Sequence, residues 1–140
     1  MSSVFYTSVS GWAAVILMGV EIVLPYLLRP NWLSVKLGLA VGFVAPYLKR
    51  MWVHYWLGYL VVGLSFVHAW VPMRAGPMRR LSMVGLWLGT AALFLLAMQV
   101  ALGLALRDPG LRERRENCRW HYGVMIGAVI VVAGHVWLNK

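Results

Sequence analysis

Four long runs of apolar residues dominate the chain and set its predicted architecture. The runs lie at 9–28, 51–71, 81–106 and 120–138. At about 1.5 Å of rise per helical residue, each run is long enough to cross a hydrocarbon layer roughly 30 Å thick. A bilayer core offers no water to unpaired backbone groups, so such runs form helices. The pattern predicts an all-α membrane protein, a bundle of four transmembrane helices in a single domain over residues 1–140.

A further apolar stretch lies between the first and second runs. Its apolar core at 37–48 is only twelve residues long, and Lys36, Gly42 and Pro46 weaken it. That length is short for a transmembrane helix. We expect residues 32–48 to form an interfacial or re-entrant segment, with a fifth span as the alternative. In both cases the second and fourth runs are two helices apart and therefore run parallel.

The composition excludes most soluble classes of protein. Hydrophobic residues make up 61% of the 140 positions and charged residues only 12%. A soluble domain of this size needs a larger polar surface, so we expect the lipid bilayer to cover much of this chain. The net charge of +9 would suggest nucleic acid as a partner of a soluble protein. Here the basic residues flank apolar runs, where they orient helices and contact anionic lipids, and we expect no nucleic-acid partner.

The basic residues are distributed unequally between the two ends of the predicted bundle. Nine of them lie in the loops at one end and four at the other. By the positive-inside rule, the richer end faces the cytoplasm. This places both termini on the outer face. The richer end contains Arg29, Lys36, Lys49, Arg50, Arg107, Arg112, Arg114, Arg115 and Arg119, and the poorer end contains Arg74, Arg79, Arg80 and Lys140.

All four histidines lie inside apolar runs, and their spacing repeats. His54 and His68 are fourteen positions apart, as are His121 and His135. Fourteen residues return a helical side chain to within about 40° of its first direction, about 21 Å further along the axis. On two parallel helices, His54 is then level with His121, and His68 is level with His135. The spacing predicts two histidine pairs, one near each membrane face.

Two imidazoles on opposite sides of a flat ring are what an iron porphyrin needs from a protein. The residues that share the histidine faces are mostly small, which leaves room for such a ring. We therefore predict two haem b groups, with His54 and His121 as axial iron ligands of one and His68 and His135 of the other. The small or unbranched residues on these faces are Gly58, Val61 and Ser65 in the second run and Met125, Ala128 and Val132 in the fourth, and glycines that let backbone approach are Gly11, Gly19, Gly85, Gly89 and Gly103.

A purely structural role and a compact metal site both account less well for the histidines. Structural histidines hydrogen-bond across helices, but ionisable groups inside spans are rare and usually functional. A compact zinc or copper site needs three or four ligands around one ion. Pairs about 21 Å apart cannot share an ion, and no Asp, Glu or Cys neighbours supply both a third and a fourth ligand at helical spacing.

The histidine pattern resembles that of dihaem membrane cytochromes b. The likeness is carried by Arg-Met-Trp-Val-His at 50–54, Gly58, His68, His121 and His135, and it spans residues 51–140. It is similar to the four-helix haem-binding unit of quinol–cytochrome c reductase cytochrome b and to bacterial dihaem cytochrome b anchor subunits. In the reductases the first histidine pair lies toward the outer face, whereas the charge distribution here places it toward the inner face. The reductases' later helices, which complete the outer quinol site, have no counterpart in these residues.

Further polar residues are candidates for a role near the haems. Glu21 is the only acidic residue inside the predicted apolar runs. One interpretation makes it a catalytic proton acceptor near a quinone, and the alternative makes it a structural partner of Arg50 or Lys49. Arg50 and Arg119 precede the first histidine of each pair, where they can meet haem propionates or lipid. Cys118 is the only cysteine, so we expect it to be an unpaired thiol, since covalent haem attachment uses two.

Together these features predict transmembrane electron transfer through two haems with two histidine ligands each. We expect a subunit of a larger quinone-linked respiratory or photosynthetic complex in a bacterial cytoplasmic, energy-transducing membrane. Its partners are then other membrane or peripheral redox subunits and the quinone pool. The alternatives are a haem-free membrane anchor or assembly subunit, and a small stand-alone quinone-dependent oxidoreductase. Whether the chain is itself an enzyme stays open.

Overall fold

The computed structural model describes residues 3–27, 51–74, 82–108 and 110–139, and these form four α-helices. They are α1 (Ser3–Leu27), α2 (Trp52–Arg74), α3 (Met83–Ala105) and α4 (Arg114–Leu138). Each is long and apolar enough to cross a membrane. The described part of the chain is therefore all-helical, as predicted, and compatible with an integral membrane protein. The expected re-entrant segment at 32–48 lies outside the described residues.

The helix ends differ from the ends of the apolar runs. Helix α4 begins at Arg114, six residues before the fourth apolar run, because arginine and glutamate are good helix formers. Helix α3 begins where the Ser82 hydroxyl accepts the Gly85 N–H at 2.9 Å, a standard N-cap contact. Hydrophobicity marks the part of a helix that suits a bilayer, and caps decide where the helix itself begins.

Helices α1 and α2 pack side by side in opposite directions. Near one end of the pair, the Thr7 carbonyl lies 2.8 Å from His68 Nδ1. Near the other, Glu21 Oε1 lies 3.7 Å from His54 Nδ1. The early part of α1 is thus beside the late part of α2, so the two helices are antiparallel.

Helices α3 and α4 form a second antiparallel pair. The Gly85 carbonyl, early in α3, lies 2.7 Å from His135 Nδ1 near the end of α4. Gln99, late in α3, lies 3.1 Å from His121 near the beginning of α4. The two helix pairs join by a smaller contact between α2 and α3.

The buried residues among those described are mostly small, although Met51 and Leu96 are also buried, and many large apolar side chains lie on the outer surface. Val61 of α2 and Ala128 of α4 are each only 2% exposed. Small residues at helix contacts let backbones approach closely, as is typical of helices packed in lipid. Large apolar side chains on the outer surface include Trp52, Trp56, Phe66, Trp87, Ile130 and Trp137. This distribution suits a lipid environment, because the outer surface needs no polar layer there.

Candidate functional site

The four histidines meet in two pairs between α2 and α4. The ring centroids of His54 and His121 are 6.3 Å apart, with an angle of 73° between the ring planes. Those of His68 and His135 are 6.0 Å apart, with an angle of 84°. We call these pairs the first and the second station. They are the pairs that the fourteen-residue spacing predicts on parallel helices.

These separations suit two rings that bind one metal from opposite sides. An imidazole nitrogen binds a metal ion at about 2.0 Å, so the centroids of two such rings lie roughly 6 Å apart. Each station supplies only two nitrogen ligands. No group of three or more histidine, cysteine, aspartate or glutamate side chains suited to a metal occurs among the described residues. The donor set fits a metal whose remaining ligands come from a planar cofactor.

At the second station, main-chain carbonyls orient both rings. His68 Nδ1 lies 2.8 Å from the Thr7 carbonyl and His135 Nδ1 lies 2.7 Å from the Gly85 carbonyl. A carbonyl oxygen only accepts, so each Nδ1–H donates. In the neutral ring the proton is then on Nδ1, and Nε2 keeps its lone pair. This is the tautomer of a histidine that ligates through Nε2 while its other nitrogen is held by the protein.

A second contact at His135 does not change this assignment. The Asn139 side-chain amide lies 3.4 Å from His135 Nδ1, but it donates at 2.8 Å to the main-chain carbonyl of His135. The shorter contact engages the amide nitrogen, while Asn139 Oδ1 is buried without a hydrogen-bond partner in the described structure. The Gly85 carbonyl, at 2.7 Å, therefore remains the partner of His135 Nδ1.

Glycines allow the rings of the second station to lie against the neighbouring helix. A Cβ atom at Gly11 would be 2.7 Å from His68 Nδ1, and one at Gly89 would be 2.9 Å from His135 Cε1. Both distances are shorter than a real side chain tolerates. Gly19 instead faces the outside of α1, with no atom near its missing Cβ, so it does not approach either station.

At the first station, a carboxyl group faces His54. Glu21 Oε1 is 3.7 Å from His54 Nδ1, and both side chains are largely shielded. A Cβ atom at Gly58 would be only 2.9 Å from Glu21 Oε1. Gly58, a predicted part of the haem environment, thus makes room for the Glu21 carboxyl group. The alternative partners of Glu21, Arg50 and Lys49, lie outside the described residues.

The second ring of the first station contacts an amide side chain. Gln99 Nε2 lies 3.1 Å from His121 Nε2. An amide nitrogen only donates, so His121 Nε2 accepts and its Nδ1 carries the proton. Three buried polar atoms here have no hydrogen-bond partner in the described structure: His54 Nδ1, His121 Nδ1 and Gln99 Oε1. The first station is therefore less completely hydrogen-bonded than the second.

The first station also borders a small, partly open pocket with a cavity volume of about 40 Å³. Polar groups of Glu21, Tyr55 and Gln99 line it beside the two rings. The Arg107 guanidinium lies 5.2 Å from the Tyr55 ring centroid, which brings a positive charge toward this end of the bundle. Anionic groups of a ligand favour such a neighbour.

The predicted arginines have different positions. Arg119 is exposed and borders a surface hollow with Arg112 and Arg115, and no described contact joins it to a histidine ring. Arg50 lies outside the described residues. Arg107, predicted only as a loop charge, lies over the Tyr55 ring, which lines the pocket at the first station.

Among the groups on α1 and α3 that contact the rings, the sequence singled out Glu21 and Gly85 but not Thr7 or Gln99. The positions that supply them repeat at the histidine interval of fourteen: Thr7 and Glu21 on α1, and Gly85 and Gln99 on α3. Gly89 and Gly103, which face His135 and His121, are also fourteen apart. A search for this interval among polar and small residues would have found them.

The fold and the site define a class: within the described residues, an all-helical structure with four helices suited to crossing a membrane and two histidine pairs between them. Neither a protein-family model nor a curated protein nor a solved structure matches the chain. The resemblance to dihaem cytochromes b accordingly rests on the histidines and their flanking residues alone.

Proposed function

We propose that this protein carries electrons across a membrane through two haem b groups, one at each station. The observation that carries the proposal is the geometry of the histidine pairs. Two pairs of facing rings, with centroids 6.3 and 6.0 Å apart, stand about four helical turns apart on the same two helices. A purely structural role for one histidine would not require a second, equivalent pair of facing rings.

The surrounding residues fit this cofactor. Main-chain carbonyls hold His68 and His135 in the tautomer that leaves Nε2 available. Small buried residues such as Val61 and Ala128 separate the two stations. When bound, haem supplies the one-electron chemistry, while the protein supplies axial ligands, orientation and a medium that excludes water.

The cellular setting belongs to the same proposal. We place the protein in a bacterial energy-transducing membrane as a subunit of a larger quinone-linked complex, with further redox subunits as partners. Both termini face outward, because the loops at the opposite end carry more basic residues. In a stand-alone quinone-dependent oxidoreductase, Glu21 would instead accept a proton from quinol. Quinol turnover by the isolated chain, abolished by Glu21→Gln, would support that alternative.

An optical spectrum of the purified protein tests the haems. We expect a b-type α band in the reduced-minus-oxidised spectrum and two haems per chain. His54→Ala and His68→Ala should each retain one haem, and the double variant should retain none. Thr90→Ala, at an exposed position on α3, is the control and should retain two. The proposal fails if the protein lacks the band, or if His54→Ala loses both haems or neither.

One observation favours a haem-free anchor as the second candidate. Three of the four rings already have a hydrogen-bonding neighbour on an adjacent helix, so the histidines also connect helices. A haem-free anchor would fold with full thermal stability when made without haem, and haem would not raise its melting temperature. A haem protein would be stabilised, because a ligand that binds only the folded state shifts the folding equilibrium toward it.

A further inference from the structure

The two stations have equivalent positions but different chemistry. On α1, Thr7 faces the second station and Glu21 the first. On α3, Gly85 faces the second station and Gln99 the first. Within each helix these positions are fourteen residues apart. Each ring thus has one partner on its neighbouring helix, and the arrangement is repeated from one station to the next.

The partners differ in kind between the stations. At the second station the acceptors are main-chain carbonyls, which any residue provides. At the first station the corresponding groups are side chains, the carboxyl of Glu21 and the amide of Gln99. Ionisable groups are costly inside a membrane and are retained where they serve a function. We therefore expect the Glu21 carboxyl group to have a function that a main-chain carbonyl of α1 at this position would not provide.

We propose that Glu21 and Gln99 are positioning residues of the first station. They accept the Nδ1–H of His54 and of His121, as the carbonyls of Thr7 and Gly85 do for the second station. This inference rests on the proposed function, because it concerns how the rings are presented to iron. Neither side chain touches the reacting atoms.

For His54, the required partner is already in place. Glu21 Oε1 is the acidic oxygen nearest to His54 Nδ1, at 3.7 Å, and that nitrogen has no hydrogen bond. The absence of a side chain at Gly58 leaves space for the carboxyl group. A small approach of Glu21 toward His54 completes the bond and keeps the proton on Nδ1, so that Nε2 is the ligand.

For His121, a change of side-chain rotamer is needed. Gln99 now contacts Nε2 of His121, while Nδ1 of the ring and Oε1 of the amide lack partners. Bringing these last two atoms together exchanges one hydrogen bond for another and satisfies two buried groups. It also releases Nε2. Without a ligand the exchange is balanced, because it leaves Nε2 of the ring and the amide nitrogen without their present hydrogen bond. It is favoured once Nε2 of His121 binds iron.

This difference makes the first station selectively sensitive to substitution. Loss of a hydrogen-bonding partner behind a metal-binding histidine typically costs about 10–100-fold in affinity. A side-chain acceptor can be removed by mutation, whereas a main-chain acceptor cannot. Glu21→Leu and Gln99→Leu should therefore weaken the first station and leave the second unchanged.

Haem titration in two backgrounds measures each station separately. In His68→Ala only the first station retains both ligands, and in His54→Ala only the second does. In the His68→Ala background, Glu21→Leu should weaken haem binding about 10–100-fold. Glu21→Gln should bind within about twofold of the parent, because its amide oxygen still accepts a hydrogen bond. In the His54→Ala background, Glu21→Leu should have no effect.

The second side chain gives an independent test with its own controls. Gln99→Leu should weaken the first station, and Gln99→Glu should restore it. Thr90→Ala in the His68→Ala background should leave haem affinity unchanged, because the exposed Thr90 hydroxyl bonds to the Leu86 carbonyl of its own helix. If Glu21→Leu fails to fold, as judged by helical circular dichroism and elution in detergent, the two Gln99 variants decide the question.

The results separate this inference from the proposed function. If the unmodified chain binds no haem, both are wrong. If it binds two haems and the leucine variants leave the first station's affinity unchanged, only the inference is wrong. It is equally overturned if Glu21→Leu weakens both stations alike, or if Glu21→Gln is as harmful as Glu21→Leu, since either result indicates a general packing role.

Discussion

An alanine at position 11 should damage the bundle, whereas an alanine at position 19 of the same helix should not. A Cβ atom at Gly11 would lie 2.7 Å from Nδ1 and 2.8 Å from Cε1 of His68. At Gly19 it would meet no atom within 4 Å. The two substitutions are chemically identical and stand in the middle part of α1, so their difference isolates contact with the ring.

The magnitude follows from the two ways in which the structure can accommodate the new methyl group. If the His68 ring stays in place, the contact is overpacked, at a cost of about 1–3 kcal/mol. If the ring turns away, it loses the 2.8 Å hydrogen bond to the Thr7 carbonyl, and an unsatisfied buried donor costs about 1–3 kcal/mol. Both routes give a similar loss. Gly19→Ala should be neutral or slightly stabilising, because alanine restricts the unfolded chain.

Thermal unfolding of the detergent-purified protein, followed by circular dichroism, measures the difference. A loss of this size lowers the melting temperature by several degrees in a domain of about this length. The comparison should be made on protein prepared without haem, so that it reports helix packing alone. Equal melting temperatures for Gly11→Ala and Gly19→Ala would refute the close contact between α1 and the His68 ring.

A pair of substitutions tests the packing of the bundle, and a chemical label tests its orientation in the membrane. Val61 is only 2% exposed, so Val61→Ala should lower the free energy of unfolding by about 1–3 kcal/mol through the cavity it leaves. Val67 is 46% exposed, so Val67→Ala should change it little. Equal stability of the two variants would contradict the assignment of the bundle interior. Cys118 is partly exposed in the first turns of α4. If that end of the bundle faces the cytoplasm, a membrane-impermeant maleimide should label Cys118 in inside-out vesicles and not in intact cells. Labelling from the outside alone would reverse the proposed orientation.

The predicted and the observed helices agree because each membrane helix can be recognised from the hydrophobicity of its own residues. A run of about twenty apolar residues is sufficient to indicate a span, whatever its neighbours. The order of the four helices and the parallel direction of α2 and α4 follow from that count. The first turns of α4 were not predicted, because four of the six residues at 114–119 are charged and the apolar pattern begins only after them.

The histidine pairs could be predicted, but their neighbours could be predicted only in part. Within lipid, apolar residues face both the helix contacts and the surroundings, so hydrophobic periodicity does not reveal which face is inside. Gly11 and Gly19 are indistinguishable in sequence, yet only Gly11 faces a ring. Gln99 stands out as a polar residue in an apolar run, but its contact with His121 depends on how α3 is rotated against α4.

The fourteen-residue interval explains how one bundle presents two equivalent stations. Fourteen residues are two heptads, and a straight helix drifts by about 20° per heptad from a perfect repeat. Straight parallel helices that aligned the first pair would therefore leave the second rotated by about 40°. The rings nevertheless meet at both levels, with centroids 6.3 and 6.0 Å apart. A left-handed inclination of the helices, the usual packing in membrane bundles, would remove such a drift. Because the partner positions on α1 and α3 follow the same interval, corresponding positions meet the rings at both stations. At the first station, the side chains of Glu21 and Gln99 take the places that the main-chain carbonyls of Thr7 and Gly85 have at the second.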